Sequence, residues 1–284
     1  MRLNPRTPNI AVLEVNLGRL LLDVGRDNDA ISWLEQSLQT DTQLLPETPG
    51  LDLPLVDPHG TARFLLASAY ALSNRLDDAH RLLSEAMKSK QGMDTTVRSW
   101  MRGIPHYADP AHIRQEQRIA EGLRRAGLRD HLDEEADSGV PSTAELREST
   151  RADEPTPMSV PGAKTIRTEE MQRLLAESKP LVLTTVEPRF NPTIPGAVHI
   201  DMPGGGTMDD EIQAKLRRTM HELLGDDREH PIVVFSYNIN RWYARNAALR
   251  LVALGYRNVY WYRGGWEAWD AHDLPKAPLI LEAR

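Results

Sequence analysis

Apolar positions recur with a helical period over two stretches near the N-terminus, GRLLLDVGRDNDAISWLEQSLQ and ASAYALSNRLDDAHRLLSEAMK. In each, one amphipathic helix runs into a short polar turn and a second follows, the pattern of a helical hairpin. The turns match as well as the helices. Arg26 corresponds to Arg75, Asp29 to Asp78 and Ala30 to Ala79, all at an offset of 49. A helix-pair repeat of about 34 residues carrying an insertion gives such an offset, and the small alanines suit a close contact between paired helices. The insertion is the Pro- and Gly-rich LLPETPGLDLPLVDPHG, Leu44 to Gly60, expected to be a loop. ADPAHIRQEQRIAEGLRRAGLRDH, Ala108 to His131, predicts one more helix, started by Asp109-Pro110 and ended at Gly127.

From Ala163 onward the period changes. Short apolar runs, PLVLTT (Pro180 to Thr185), AVHID, PIVVF and NVYWY, read as four buried strands. DEIQAKLRRTMHELLG and WYARNAALRLVALG read as helices between them, and GGWEAWDAHDLP turns into a last short helix. Strands of this kind separated by helices predict a parallel sheet covered on both faces, an α/β domain.

Between the two patterns the composition shifts. From Asp130 to Glu154 there are nine acidic and two basic residues, a balance of −7 that accounts for the net charge of the whole 284-residue chain. This acidic, Ser/Thr/Pro-rich stretch lacks the apolar surface to offset the entropy of ordering and reads as a linker. The expected organisation is thus a helical domain over 1–131, a linker over 132–162 and an α/β domain over 163–284. No basic face stands out, so the footprint of nucleic-acid binding is missing. No apolar run reaches membrane-spanning length, and the N-terminus lacks the pattern of a secretory signal; a cytoplasmic location is expected. The chain has no cysteine, which excludes disulfides, thiolate metal sites and cysteine chemistry in the chain as written. No metal or other cofactor is expected. PGGGTMDD, Pro203 to Asp210, lacks the spacing of a nucleotide loop and reads as a flexible rim.

The candidate chemistry lies where PIVVF empties into Ser236-Tyr237-Asn238-Ile239-Asn240-Arg241 ahead of the helix that starts near Trp242. A strand, a short loop and a helix N-terminus can aim several backbone N–H groups into one bowl, a seat for an anion. Arg241 would stand at its rim as an anion ligand or be a solvated residue at the helix start, Asn238 and Asn240 would donate to an anion or shape the turn, and Trp242 would form a wall. The aromatics Tyr243, Tyr260, Trp261, Tyr262, Trp266 and Trp269 read mainly as core. His199, His230 and His272 lie near element ends or in loops, so none is a clear base for a serine nucleophile.

The helical region resembles the tetratricopeptide-repeat family, and also the repeat segments that follow catalytic domains in some bacterial signalling proteins, nucleotide cyclases among them. The resemblance implies a docking surface for a protein or peptide, with self-association as a further expectation. TIPGAVHI, VVFSYNINR and NAALRLVALGYRNVYWYRGGWEAWDAHDLP, in that order, resemble rhodanese-like domains over Val160 to Leu279. The Arg241-Trp242 step and NVYWYRGG resemble a bacterial subgroup of them. The resemblance implies sulfur transfer from a donor such as thiosulfate through a loop cysteine that becomes a persulfide. Its six-residue loop length implies sulfur transfer rather than phosphatase action. That cysteine falls on Ser236 and the loop-end basic residue on Arg241. Thr184, Thr185 and Val186 stand where many relatives carry an Asp-x-Arg step. A cysteine has a pKa of about 8.5, which such a bowl lowers; a serine stays protonated and forms no persulfide. The expected function is therefore a catalytically silent, anion-receptive module joined to a docking domain. The rival expectation is a thiosulfate-type sulfurtransferase whose cysteine was mutated to serine.

Overall fold

The computed structural model describes residues 10–40, 58–88, 95–102, 109–188, 192–202 and 204–280. It separates into two compact units, Met1–Asp130 and His131–Arg284.

The first unit is helical: α1 (Ile10–Asp23), α2 (Asp27–Gln39), α3 (Pro58–Leu72), α4 (Leu76–Met87), α5 (Val97–Arg102) and α6 (Pro110–Arg125). The α1–α2 and α3–α4 turns have the same geometry. Arg26 and Arg75 precede their helices with φ/ψ of −92/62° and −91/64°. The arginine Nε donates to the aspartate three residues on in both, at 2.7 Å to Asp29 and 2.9 Å to Asp78. Asn74 takes the left-handed conformation that Gly25 takes in the first turn, as asparagine tolerates better than most side chains. Ala30 and Ala79 are fully buried. Elsewhere glycine lets the helices close up: a methyl on Gly18 would lie 2.5 Å from Leu34 Cγ, and one on Gly122 would strike Ser68. α6 starts as its sequence predicts, with Asp109 capping the Ala111 N–H at 2.7 Å, and it packs on α3. Of the expected insertion, Leu44 to Asp57 lies outside the described residues, while Gly60 belongs to α3.

The second unit holds a five-stranded, all-parallel sheet in the order β1-β5-β4-β2-β3. Its strands are β1 (Lys164–Ile166), β2 (Leu181–Thr184), β3 (Ala197–His199), β4 (Ile232–Phe235) and β5 (Val259–Tyr262), with helices α7 (Thr168–Glu177), α8 (Glu211–Leu224), α9 (Tyr243–Ala253) and α10 (Gly265–Ala271). β4 shows why the runs are apolar throughout. Ile232 and Val234 face a core with α8 and α9, whereas Val233 and Phe235 face one with α7 and α10, so neither face meets water. The sequence reading missed β1 and α7.

The segment expected to be a linker is instead laid against this sheet unit. It has little regular structure, a single 3-10 turn at Ser149–Arg151, yet Leu132, Ala152, Thr156 and Val160 are buried. The Glu134 carboxylate accepts from the Thr168 N–H and hydroxyl at the start of α7, where the helix dipole favours a negative charge. Asn246 on α9 clamps the Arg147 backbone, accepting its N–H at 3.0 Å and donating to its carbonyl at 2.9 Å. A composition rule based on apolar content fails here because the segment supplies mainly polar atoms to another core.

Candidate functional site

β4 ends at Phe235 and α9 begins at Tyr243, and the six candidate residues span the gap. Gly265 opens α10 with φ of 63°, and a methyl there would collide with the Ser236 carbonyl oxygen. Glycine thereby lets α10 close on the loop, whose Ser236 and Tyr237 carbonyls accept the N–H groups of Trp266 (3.0 Å) and Glu267 (2.8 Å).

The loop is more enclosed than an open bowl. Ser236 is 5% exposed, and Tyr237, Asn238, Ile239, Asn240 and Trp242 are buried as well. Asn238 shapes the turn: its side-chain oxygen accepts the Asn240 N–H at 3.0 Å and its carbonyl accepts the Arg241 N–H at 3.2 Å. The Trp242 N–H goes to the Ala152 carbonyl at 2.9 Å. Three N–H groups at the helix end of the loop thus have protein acceptors, two in the loop and one in the acidic segment. The Asn238 amide also reaches Glu267 Oε2 at 3.3 Å. Glu267 is buried and also accepts from the Leu132 N–H; sequence reading did not single it out.

Ala152 to Thr156 lies across the loop. Thr156 donates twice to the Ile239 carbonyl, from its N–H at 3.0 Å and from its hydroxyl at 2.6 Å. Trp242 does not line an open pocket: its indole N–H donates to the Pro155 carbonyl at 3.2 Å, and the Arg147 and Arg245 guanidiniums lie 4.7 Å from its ring centroid. The Arg241 guanidinium lies 3.2 Å from an Asp153 carboxylate oxygen. Burial, then the Asp153 charge, pushes the Tyr243 phenol above its ordinary range.

Other expected positions fall into structural roles. Thr184 is buried, and its hydroxyl accepts the Val186 N–H at 3.1 Å, while the Thr185 N–H reaches the Phe235 carbonyl. Tyr237 stacks on Trp266 at 5.9 Å, and the Trp266 and Trp269 indoles donate to the Pro192 and Pro275 carbonyls. His230 pairs with Asp227, and the His272 Nδ1 lies against the Ala268 carbonyl. The Gly204–Gly206 stretch, expected to be a flexible rim, is tied down: the Gly205 carbonyl accepts from Arg250, and the Gly205 N–H donates to the Arg147 carbonyl.

Two buried arginines flank the loop. Arg245 donates to the Thr143 and Glu145 carbonyls, bonds to no carboxylate among the described residues, and leaves its Nε without an acceptor there. Burial, helped by the Arg147 charge, pulls it down to about 10. Arg263 donates to the Glu134 and Thr156 carbonyls and to the Thr156 hydroxyl, and burial lowers it too.

The model of the rhodanese-like domain matches residues 161–272. Those residues form a rhodanese-like domain. Among solved structures, the chain is similar to the 30 kDa polysulfide-sulfur transferase homodimer of Wolinella succinogenes, at 20% identity over 41% of this chain and 79% of that one, with a TM-score of 0.30. It is also similar to the thiosulfate sulfurtransferase of Pseudomonas aeruginosa, at 20% identity over 61% of this chain and 30% of that one, with a TM-score of 0.34. No curated protein matches the chain, and no tetratricopeptide-repeat model matches the helical region. The rhodanese-like domain contains no cysteine, which is consistent with a non-catalytic homologue. Among the described residues, no helix is long and apolar enough to cross a membrane.

Proposed function

We propose that the protein is a catalytically silent rhodanese-like protein that works by binding: its loop takes a small anion or serves as a docking surface, and its helical unit takes a peptide or protein partner. The observation that carries the first half is Ser236, a buried hydroxyl at the loop position that resembles the family's cysteine, in a chain without a thiol. Sulfane-sulfur transfer needs a thiolate that can form a persulfide, and no side chain here supplies one. Two features support the second half: the matched turns of the two hairpins, in keeping with a tetratricopeptide-like lineage, and the exposed apolar Leu13, Leu20 and Val24 of the first hairpin, spaced to share one helical face.

Thiocyanate formation from thiosulfate and cyanide tests the silent reading. The full chain is expected to give no product above the uncatalysed background; turnover by the Ser236 protein would overturn the reading. Ser236→Cys is expected to stay near background as well, because the loop is covered; rapid turnover by that variant would favour the rival reading of a sulfurtransferase with a replaced cysteine.

A further inference from the structure

We infer that residues 131–160 are a cover held in cis over the rhodanese-like loop, and that Asp153 stands as a built-in substitute for the oxyanion that Arg241 would otherwise bind. The inference rests on the reading of the loop as an anion seat and adds its regulation: the seat opens when the cover lifts, and a small oxyanion favours the lifted state.

Three guanidiniums near the loop are each met by oxygens of this one segment. Asp153 faces Arg241 at 3.2 Å. The Thr143 and Glu145 carbonyls cap Arg245, and the Glu134 and Thr156 carbonyls cap Arg263. A chain segment that presents a carboxylate and carbonyl oxygens to three guanidiniums offers what an anionic ligand would offer. Arg245 sharpens the point, because it is fully buried and its Nε already lacks an acceptor. Losing the carbonyls as well would leave a guanidinium without partners, which is costly, so an anion entering at that moment has a differential affinity for the open state, the condition for shifting a population.

Where it crosses the loop, the cover is held by few bonds. It adds no strand to the five-stranded sheet, and its hold on the loop is a handful of hydrogen bonds: two from Thr156 to the Ile239 carbonyl, one from the Trp242 N–H to Ala152, one from the Trp242 indole to Pro155. The Asp153–Arg241 pair is partly exposed, a class worth little to stability. Glu154, bonded to Arg151 at 3.0 Å and also to Arg147, pins the segment to itself rather than to the loop.

The lack of cysteine makes the test clean, since Ser236→Cys would carry the sole thiol. Its labelling rate with a disulfide reagent such as DTNB reports how often the loop is uncovered. In Ser236→Cys alone labelling is expected to be slow. Adding Asp153→Ala is expected to raise it about threefold, and adding Thr156→Val as well at least tenfold. A Thr184→Cys protein, with its thiol on β2 in the same unit, is the control and is expected to be unmoved by the two cover substitutions. Sulfate, followed by calorimetry, is expected to bind the Asp153→Ala/Thr156→Val protein at least fivefold more tightly than the unsubstituted chain, and Arg241→Ala is expected to abolish that gain. Fast labelling of Ser236→Cys by itself, a rise of less than twofold with both cover substitutions, an equal rise in the Thr184→Cys control, or equal or absent sulfate binding in the two proteins would each overturn the inference. These readouts involve no turnover, so a failure of the silent reading, seen as thiocyanate production, is separately visible.

Discussion

Among the described residues, Glu14 and Glu116 are the charged side chains buried in the helical unit, whereas the sheet unit buries Arg245, Arg250 and Arg263 beside Glu267 and Asp270. The partners differ as well. Glu14 accepts from Gln36 at 2.6 Å and Thr40 at 2.8 Å, both from the other half of its own hairpin. Glu116 accepts from Trp100 at 3.1 Å and pairs with Arg19. The sheet unit's arginines take their oxygens mainly from irregular chain, 37 to 129 residues earlier in sequence. The helical unit closes its core helix against helix, with apolar pairs such as Gly18 and Leu34. The sheet unit closes its core only when loops arrive to neutralise the cations that α9 and β5 bring inside.

Breaking that neutralisation is expected to have the largest effect. Asp210 holds the fully buried Arg250 at 2.8 Å and also caps the Gln213 N–H of α8, so Asp210→Ala should cost the sheet unit about 3–5 kcal/mol. Amide exchange should speed up over α8 and α9 and stay unchanged over α1–α4. The matching insult to the helical unit, Leu34→Ala, removes a fully buried side chain and should cost about 3 kcal/mol, with the exchange pattern reversed. Equal loss of protection in both units from either substitution would contradict the contrast.

Acid sharpens it further. The Arg250 hydrogen bonds, with help from the Gln213 and Thr207 N–H groups, hold the Asp210 carboxyl at about 2, below its ordinary 3.8. A depressed carboxylate contributes stability that is complete above the ordinary value and disappears as pH falls toward the folded one. Sheet-unit stability should therefore drop by about 2 kcal/mol between about pH 4 and pH 2 on this account, a component absent from Asp210→Asn when urea midpoints are compared across pH. The smallest effect is expected at the exposed turn of the helical unit. Arg26→Ala removes the Asp29 pair and should shift stability by less than about 1 kcal/mol.

The same difference governs what could be read from the residues. The hairpins were legible because Arg26, Asp29 and Ala30 recur as Arg75, Asp78 and Ala79, and a turn of that kind is settled by neighbours in sequence. β2 to β5 were legible as apolar runs between helices. β1 was not, since Lys164-Thr165-Ile166 offers one buried apolar side chain, and its identity as a strand comes from the register with Tyr260 to Tyr262. The strand, loop and helix order around Ser236 and Arg241 was foreseen, but the loop's covering was not, because hydrogen bonds from Thr156 to Ile239 link residues 83 apart. One signal was available: Arg245, Arg250 and Arg263 interrupt otherwise apolar stretches, and each such interruption calls for an acceptor from elsewhere in the chain.

That demand decides where the domain can be cut. A fragment starting at residue 161, where the family match begins, would keep all the strands and helices from β1 to α10. It would nonetheless discard the carbonyls of Glu134, Thr143, Glu145 and Thr156, the acceptors of the Arg245 and Arg263 guanidiniums. The smallest piece that is stable without an added anion therefore begins some thirty residues upstream, and a truncation drawn from the recognisable motif alone should gain stability from sulfate that the longer piece does not need.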